Sequence, residues 1–294
     1  MNTDVNVKYL SASEQDVRWG LTINTVGHQR IKPHAPYPSS NHPFVYVFSP
    51  EKGRVLSDEY QLIYILEGQG TFKSAHKKSV QIKNGQMMML FPGEWHSYQP
   101  DKETGWYEHW VGFSGTYIDN LTKEGFFSKE NPVFNVGMNK EVTKLYKQAA
   151  IISQEQSAGF QQMLAGIVQL LLGYAYSGNK QAAFVDMKVA DQISKAKNII
   201  IENYNNDTSP EEVAAMLNMS YSWFRKLFRK YTGFSPSQFK EELRIQKSKE
   251  LLANTDMSSK EIAYEVGFNT PYHFCILFKR KTGSSPLKFR KLAR

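Results

Sequence analysis

The sequence predicts a two-part α+β chain: a β-barrel or sandwich carrying a helical hairpin, followed by an all-α part built from two helix-turn-helix units. Three observations predict it. Short β-rich runs punctuated by glycine occupy residues 44–113, and helical periodicity replaces them after Asn139. A device beginning at Phe224, "FRKLFRKYTGFSPSQF", then recurs from Phe274 as "FCILFKRKTGSSPLKF".

Composition sets the bounds. With 294 residues and 41% apolar content the chain can build two cores, which excludes a disordered protein. The opening "MNTDVNVKYLSASEQDVRWG" has no basic-then-apolar leader pattern. The most apolar stretch, 163–176, is too short to span a bilayer and is interrupted by Gln169. The expectation is therefore a cytoplasmic protein with no membrane contact. A single cysteine, Cys275, excludes an intramolecular disulfide and any multi-cysteine metal site.

The net charge of +8 becomes informative once divided. Residues 1–187 hold 17 basic and 17 acidic side chains, whereas 188–294 hold 19 basic against 11 acidic. The whole excess lies in the last third, which suits a neutral first part and a second part that meets a polyanion, nucleic acid first and an anionic membrane second. Charge alone leaves open a merely basic surface.

In order along the chain, "FVYVF", "QLIYILEGQGTF", "SVQI", "MMMLFPG" and "WYEHWVGF" read as strands between turn signals. Val142, Leu145, Ala149 and Ile152 then share one helical face, and Phe160, Met163, Leu164, Ile167, Leu171 and Tyr174 a second, so two helices pack as a hairpin. The breadth of the second face leaves surface for a partner. "SGNKQ" at 177–181 reads as a linker.

The repeat occupies the remainder. "SPEEVAAML" and "SSKEIAYEV" each open with a capping box, Ser209 with Glu212 and Ser258 with Glu261. A tight connection follows each, then a helix in which Phe224, Leu227 and Phe228 match Phe274, Leu277 and Phe278. Gly233 and Gly283 stop those helices, and Ser235-Pro236 and Ser285-Pro286 start the next. Short helix, turn and second helix is the helix-turn-helix plan. Between the copies, Pro236 to Ala253 reads as a helix roughly 27 Å long at 1.5 Å per residue. Such a spacer could place two units in adjacent major-groove turns, about 34 Å apart. Opposite the buried aromatics, Ser222, Arg225, Lys226 and Arg229 in the first unit and Asn269, Thr270 and His273 in the second are the candidate DNA contacts. Cys275 and Ile276 are also exposed there but offer less to hydrogen-bond a base.

Residues 188–294 resemble the DNA-binding domain of AraC/XylS-type transcription regulators. The likeness runs through "IAYEVGFNTPYHFCILFKRKTGSSPLKFR", with Gly267-Phe268, Phe274, Phe278-Lys279, Gly283 and Pro286-x-x-Phe289-Arg290 interlocked. It implies seven helices, with recognition helices at 220–231 and 270–281. Ile276 stands where members of that family often carry a basic or polar residue.

The first part has its own likeness. "YQLIYILEGQGTF", "NGQMMMLFPGEWHSY" and "GWYEHWVGFSG" resemble the cupin-like sensor of sugar-responsive AraC-type regulators across residues 20–135. Carried over by position, the resemblance implies a pocket holding Tyr98, Glu108 and Trp110, with Arg54 a weaker member because relatives carry an arginine nearer Ser49. The competing reading makes Trp110 core and Glu108 a surface ion pair. The implied organisation is a cupin-like sensor at 1–136, a dimerising hairpin at 137–178, a linker at 179–187 and the DNA-binding domain at 188–294. Residues 1–19 would form an arm. The implied partners are double-stranded DNA, a small-molecule effector of sugar or oligosaccharide type, a second copy of the chain and RNA polymerase, and the implied activity is transcriptional activation.

An enzyme reading fails on ligands. Metal-dependent cupins need about three converging His/Glu side chains. The relevant strand, Tyr60 to Phe72, has no histidine, and only His96 matches a second motif. His34, His42 and His76 lie in loops without ligand spacing, and His109 reads as packed. No catalytic residue, cofactor or metal is expected. A ligand-independent DNA binder whose barrel only dimerises stays open.

Overall fold

Alternating side chains in the first part fold into a sheet of nine strands among the described residues. The computed structural model describes residues 4–38, 49–182 and 187–294. The chain divides into two units, Met1–Ala183 and Phe184–Arg294. The run "FVYVF", expected as a strand, lies outside the described residues.

In the first unit the strands are β1 (Asp4–Tyr9), β2 (Thr22–Ile31), β3 (Arg54–Val55), β4 (Tyr60–Ser74), β5 (Val80–Lys83), β6 (Gln86–Leu90), β7 (Trp95–Pro100), β8 (Trp106–Ser114) and β9 (Val133–Asn135). Their antiparallel order is β1-β2-β8-β4-β6-β9, with β5 and β7 also on β4 and β3 on β7. The long strand β4 does the wrapping. Its first half pairs with β6, and after an irregularity between Ile65 and Glu67 its second half pairs with β5 and β7. One strand thus belongs to both walls, which is how a small barrel encloses an interior.

Two short helices, α1 (Glu14–Arg18) and α2 (Thr116–Lys123), border the sheet. Residues 4–18 are tied into the domain: β1 is an edge strand on β2, and Asp16 accepts a hydrogen bond from Gln162 at 2.7 Å.

The hairpin comprises α3 (Lys140–Glu155) and α4 (Phe160–Ala182). Asn139 caps α3 by accepting from the backbone of Glu141 and Val142. Both helices cover the outer face of the sheet. Leu164, Ala165, Val168, Leu171, Leu172 and Ala175 join one core with Leu62, Met87 and Val111. Gln161 of α4 behaves like a missing strand neighbour, accepting from the Ile23 amide at 2.9 Å and donating to its carbonyl at 3.0 Å. Most of the broad apolar face expected to await a partner is therefore spent on the chain's own barrel. What stays exposed is Met163 and Leu170 on α4 and Ile151 on α3.

The segment "SGNKQ" is helical rather than a linker, since α4 runs to Ala182. Gly178 is buried against β9, where a Cβ would come within 2.5 Å of the Asn135 carbonyl oxygen. That glycine serves close packing, so the helix continues through it.

The second unit holds seven helices among the described residues: α5 (Met187–Glu202), α6 (Pro210–Met216), α7 (Tyr221–Thr232), α8 (Pro236–Asn254), α9 (Ser259–Glu265), α10 (Pro271–Thr282) and α11 (Pro286–Ala293). Both capping boxes read from the sequence form, and Ser235 makes a third with Gln238. Gly233 and Gly283 end α7 and α10 in the left-handed conformation. Two small cores result, one around Phe224 and Phe228 and the other around Phe274 and Phe278.

The duplication extends to how the loops are held. Lys240 and Arg244 of α8 donate to the carbonyls of Tyr204, Asn206 and Thr208, in the connection between α5 and α6, at 2.6 to 3.0 Å. At the same offset, Arg290 and Arg294 donate to the carbonyls of Leu252 and Ala253 in the last turn of α8 and of Thr255 and Met257 in the connection to α9. Each unit closes its first loop with a pair of cations one helical turn apart.

Candidate ligand pocket and nucleic-acid interface

Strand register brings the pocket residues together. Across β2 and β8, Gln29 faces Glu108 and Gly27 faces Trp110. On the other side of β8, Ile63 and Ile65 of β4 face Trp110 and Glu108. Residues 108 and 110 share one face because side chains alternate along a strand, so both point into the barrel while His109 points out. The opposite wall supplies Tyr98 from β7 and Arg54 from β3, and Tyr9 and Tyr37 border the same cavity. Open room inside is about 30 Å³, space for one or two waters.

The interior is polar and held by hydrogen bonds. Arg54 Nη2 donates to the Tyr98 hydroxyl at 3.1 Å and to Gln61 Oε1 at 3.4 Å, while its Nε donates to His96 Nε2 at 3.2 Å. Gln61 donates in turn to Glu59 at 2.5 Å. His96 gives its other ring proton to the Glu94 carbonyl, so its Nε2 is an acceptor and the ring is neutral. Burial and the Arg54 charge hold its pKa down to about 4.

Glu108 is only 4% exposed, so it is no surface ion pair. Its Oε2 has no hydrogen-bond partner among the described residues. Burial pushes its pKa up to about 8, against the opposing pull of Arg54. At neutral pH it is largely a carboxylic acid that can donate as well as accept. Burial likewise raises the Tyr98 phenol to about 12, with Arg54 acting the other way. Trp110, 7% exposed, belongs to the inner core and also lines the cavity, so core and pocket are one surface here.

Sequence reasoning missed Thr25, Gln29, Gln61 and Tyr37. Gln61 carried a signal, as a polar residue inside the apolar strand "YQLIYIL". Thr25 and Gln29 gave none, because "TINTVGHQRI" is mixed on both faces.

The remaining histidines do not converge. His109 is buried between strand and hairpin, 5.3 Å from the His28 ring and 5.7 Å from Tyr146, and burial lowers its pKa to about 3. His76 bonds Glu94 at 2.7 Å, and His34 lies 3.6 Å from Glu103 at the surface. His42 is outside the described residues. Among the described residues no cluster of three His, Cys, Asp or Glu could hold a metal ion. No described helix is long and apolar enough to cross a membrane.

In the second unit the hydrophobic side of α7 carries Phe224, Leu227 and Phe228, leaving Ser222, Arg225, Lys226 and Arg229 exposed, together with Trp223 at 50%. Asn269, in the turn before α10, and His273 on α10 are exposed, the His273 ring lying edge-on to Phe268 at 5.7 Å. Thr270 sits at the N-cap, where its hydroxyl accepts from the His273 amide at 3.2 Å. Its oxygen is engaged in capping the start of the helix, which separates it from the other candidates.

Comparison with known proteins follows this division. A model described as an AraC-like ligand binding domain matches residues 51–186, and one described as a helix-turn-helix domain matches residues 213–292. The raffinose operon transcriptional regulatory protein RafR of Pediococcus pentosaceus is 28% identical over 82% of this chain and 87% of its own length. The Msm operon regulatory protein of Streptococcus mutans is 29% identical over 81% and 86%. For the arabinose operon regulatory protein of Salmonella typhimurium the figures are 28%, 79% and 83%. With a sensor-type barrel ahead of a duplicated helix-turn-helix unit, and relatives that are regulators rather than enzymes, the chain belongs to the AraC family of DNA-binding transcription regulators.

Proposed function

We propose that this regulator is switched by a sugar or oligosaccharide held in the first-unit barrel. The observation that carries the reading is Glu108 Oε2, without a hydrogen-bond partner among the described residues and buried in a cavity whose wall also presents Gln29, Gln61, Arg54 and the face of Trp110. Buried polar atoms without partners call for an unseen one. Hydroxyl groups of a saccharide can accept from and donate to a neutral carboxylic acid, and the indole offers a flat apolar face to a sugar ring. The relatives named for raffinose and arabinose operons favour the same class. Entry of a sugar requires Tyr37 and Pro38 to withdraw, because the present room suits water only.

In this reading the chain acts as a cytoplasmic homodimer that activates transcription beside RNA polymerase. Dimerisation uses the exposed stripe of α4, where Met163 and Leu170 alternate with Gly166 and Gly173, both open to close approach. Ser222, Arg225, Lys226 and Arg229 read or grip DNA from the first unit, and Asn269, Thr270 and His273 assist from the second. Residues 1–136 form the sensor, 137–182 the dimerising hairpin and 188–294 the DNA-binding domain. The effector works only through a difference in affinity between DNA-competent and other arrangements.

The test is thermal denaturation of the full chain against mono- and oligosaccharides, raffinose and arabinose among them. A saturable rise in Tm that Glu108→Ala removes supports the reading. No shift with any saccharide, from protein that melts cooperatively, contradicts it.

A further inference from the structure

The two recognition helices are copies, yet their exposed faces differ in chemistry. With Phe224, Leu227 and Phe228 aligned on Phe274, Leu277 and Phe278, the exposed positions Ser222, Arg225 and Lys226 correspond to Tyr272, Cys275 and Ile276. In the first copy all three can hydrogen-bond or carry charge. In the second, Tyr272 is 77% exposed and Ile276 49% exposed, one helical turn apart, with Cys275 half-buried between them. Side chains at i and i+4 lie one above the other, so Tyr272 and Ile276 form a ridge along the N-terminal half of α10.

The basic residues that follow are retained. Arg229 and Lys230 at the end of α7 correspond to Lys279 and Arg280 at the end of α10, all exposed. A helix that keeps its cations but sets an aromatic ring and an isoleucine where the first copy has serine and lysine still faces a polyanion. The groove of DNA offers one apolar recognition element, the C5-methyl group of thymine, displayed in the major groove where the N-terminal part of a recognition helix lies.

We propose that the second helix-turn-helix unit reads thymine methyl groups through Tyr272 and Ile276, while the first unit reads by hydrogen bonds. The inference rests on the DNA-binding reading of this domain and adds the chemistry of the bases it takes. The operator then has two unlike boxes, one with guanine or other hydrogen-bonding edges for α7 and one with thymines for α10. Cys275 packs beneath the ridge and contributes no hydrogen bond to a base.

The experiment selects bound sequences from a random duplex library with the full chain, then replaces thymine by deoxyuridine one position at a time. Uracil keeps every hydrogen-bonding group and removes only the methyl, so the substitution isolates the proposed contact. In one box each sensitive replacement weakens binding about fourfold, the worth of burying one methyl-sized group. The other box is indifferent. The double variant Tyr272→Ala, Ile276→Ala folds as the parent does, both side chains being exposed, and loses the uracil sensitivity. An enriched sequence whose affinity is the same with uracil throughout overturns the proposal and leaves DNA binding intact. Sensitivity that persists in the double variant also overturns it. Failure to enrich any sequence overturns the DNA-binding reading itself.

Discussion

Gly27 of β2 lies directly across the ladder from Trp110 of β8, and a Cβ at Gly27 would come within 2.3 Å of the indole. The glycine makes the space in which the ring lies flat against the strand. Gly27→Ala forces the ring toward the cavity or the strands apart, at a cost of about 1–3 kcal/mol. Denaturant unfolding is expected to show that loss, with effector response reduced further than stability alone explains.

Glu108 gives a pH dependence of defined sign. Its folded pKa of about 8 lies above the unfolded carboxylate value, so the folded state binds the proton more tightly. Stability contributed this way is present below the unfolded pKa and declines as pH rises toward 8. His96 and His109, with pKa values held down to about 4 and about 3, act oppositely below pH 6.5. The clean window is therefore pH 6.5 to 8. There the parent loses stability with rising pH, by roughly 2 kcal/mol across the window, whereas Glu108→Gln is flat when both are melted across the series.

The repeated cation clamps predict a local defect. Arg290 donates to the Leu252 carbonyl at the end of α8 and to the Met257 carbonyl in the loop after it, and its removal leaves both without that charged donor. Arg290→Ala destabilises the second helix-turn-helix unit by about 2–4 kcal/mol. Hydrogen exchange locates the change in α9 and α10, with α3 and α4 unaffected. Lysine does not restore it, because the two carbonyls are met by separate arms of one guanidinium fork.

The DNA contacts proposed for the exposed cations of α7 predict two different losses. Arg225→Ala relaxes discrimination at one base pair by about 1–3 kcal/mol, while Arg229→Ala weakens all sequences alike and lowers the salt slope by about 1. Binding titrations at several salt concentrations on matched and single-mismatch duplexes distinguish them.

The second unit was far more legible than the first. Its helix boundaries are marked by capping boxes, Pro236 and Pro286 at first turns, and Gly233 and Gly283 at the ends, all local signals that tertiary context did not override. In the barrel, Glu108 and Trp110 were reached only through the family resemblance. Their neighbours Thr25 and Gln29 were not reached at all, because the register that sets β2 beside β8 is a long-range pairing with no local mark. The same limit hid the fate of the hairpin. Periodicity shows that α4 has a wide apolar face, but only the packed structure shows the barrel covering most of it. "SGNKQ" misled because a glycine among polar residues reads as a break unless the strand it packs against is known.

In the proposed function, occupancy of the barrel changes DNA binding. The most direct measurement is the affinity of the full chain for its selected operator with and without saturating saccharide, in the parent and in Trp110→Ala. The Kd is expected to change by about five- to 150-fold in the parent, and not at all in Trp110→Ala, whose DNA affinity without saccharide matches the parent's. An identical Kd with and without a saccharide that demonstrably binds the parent would contradict it.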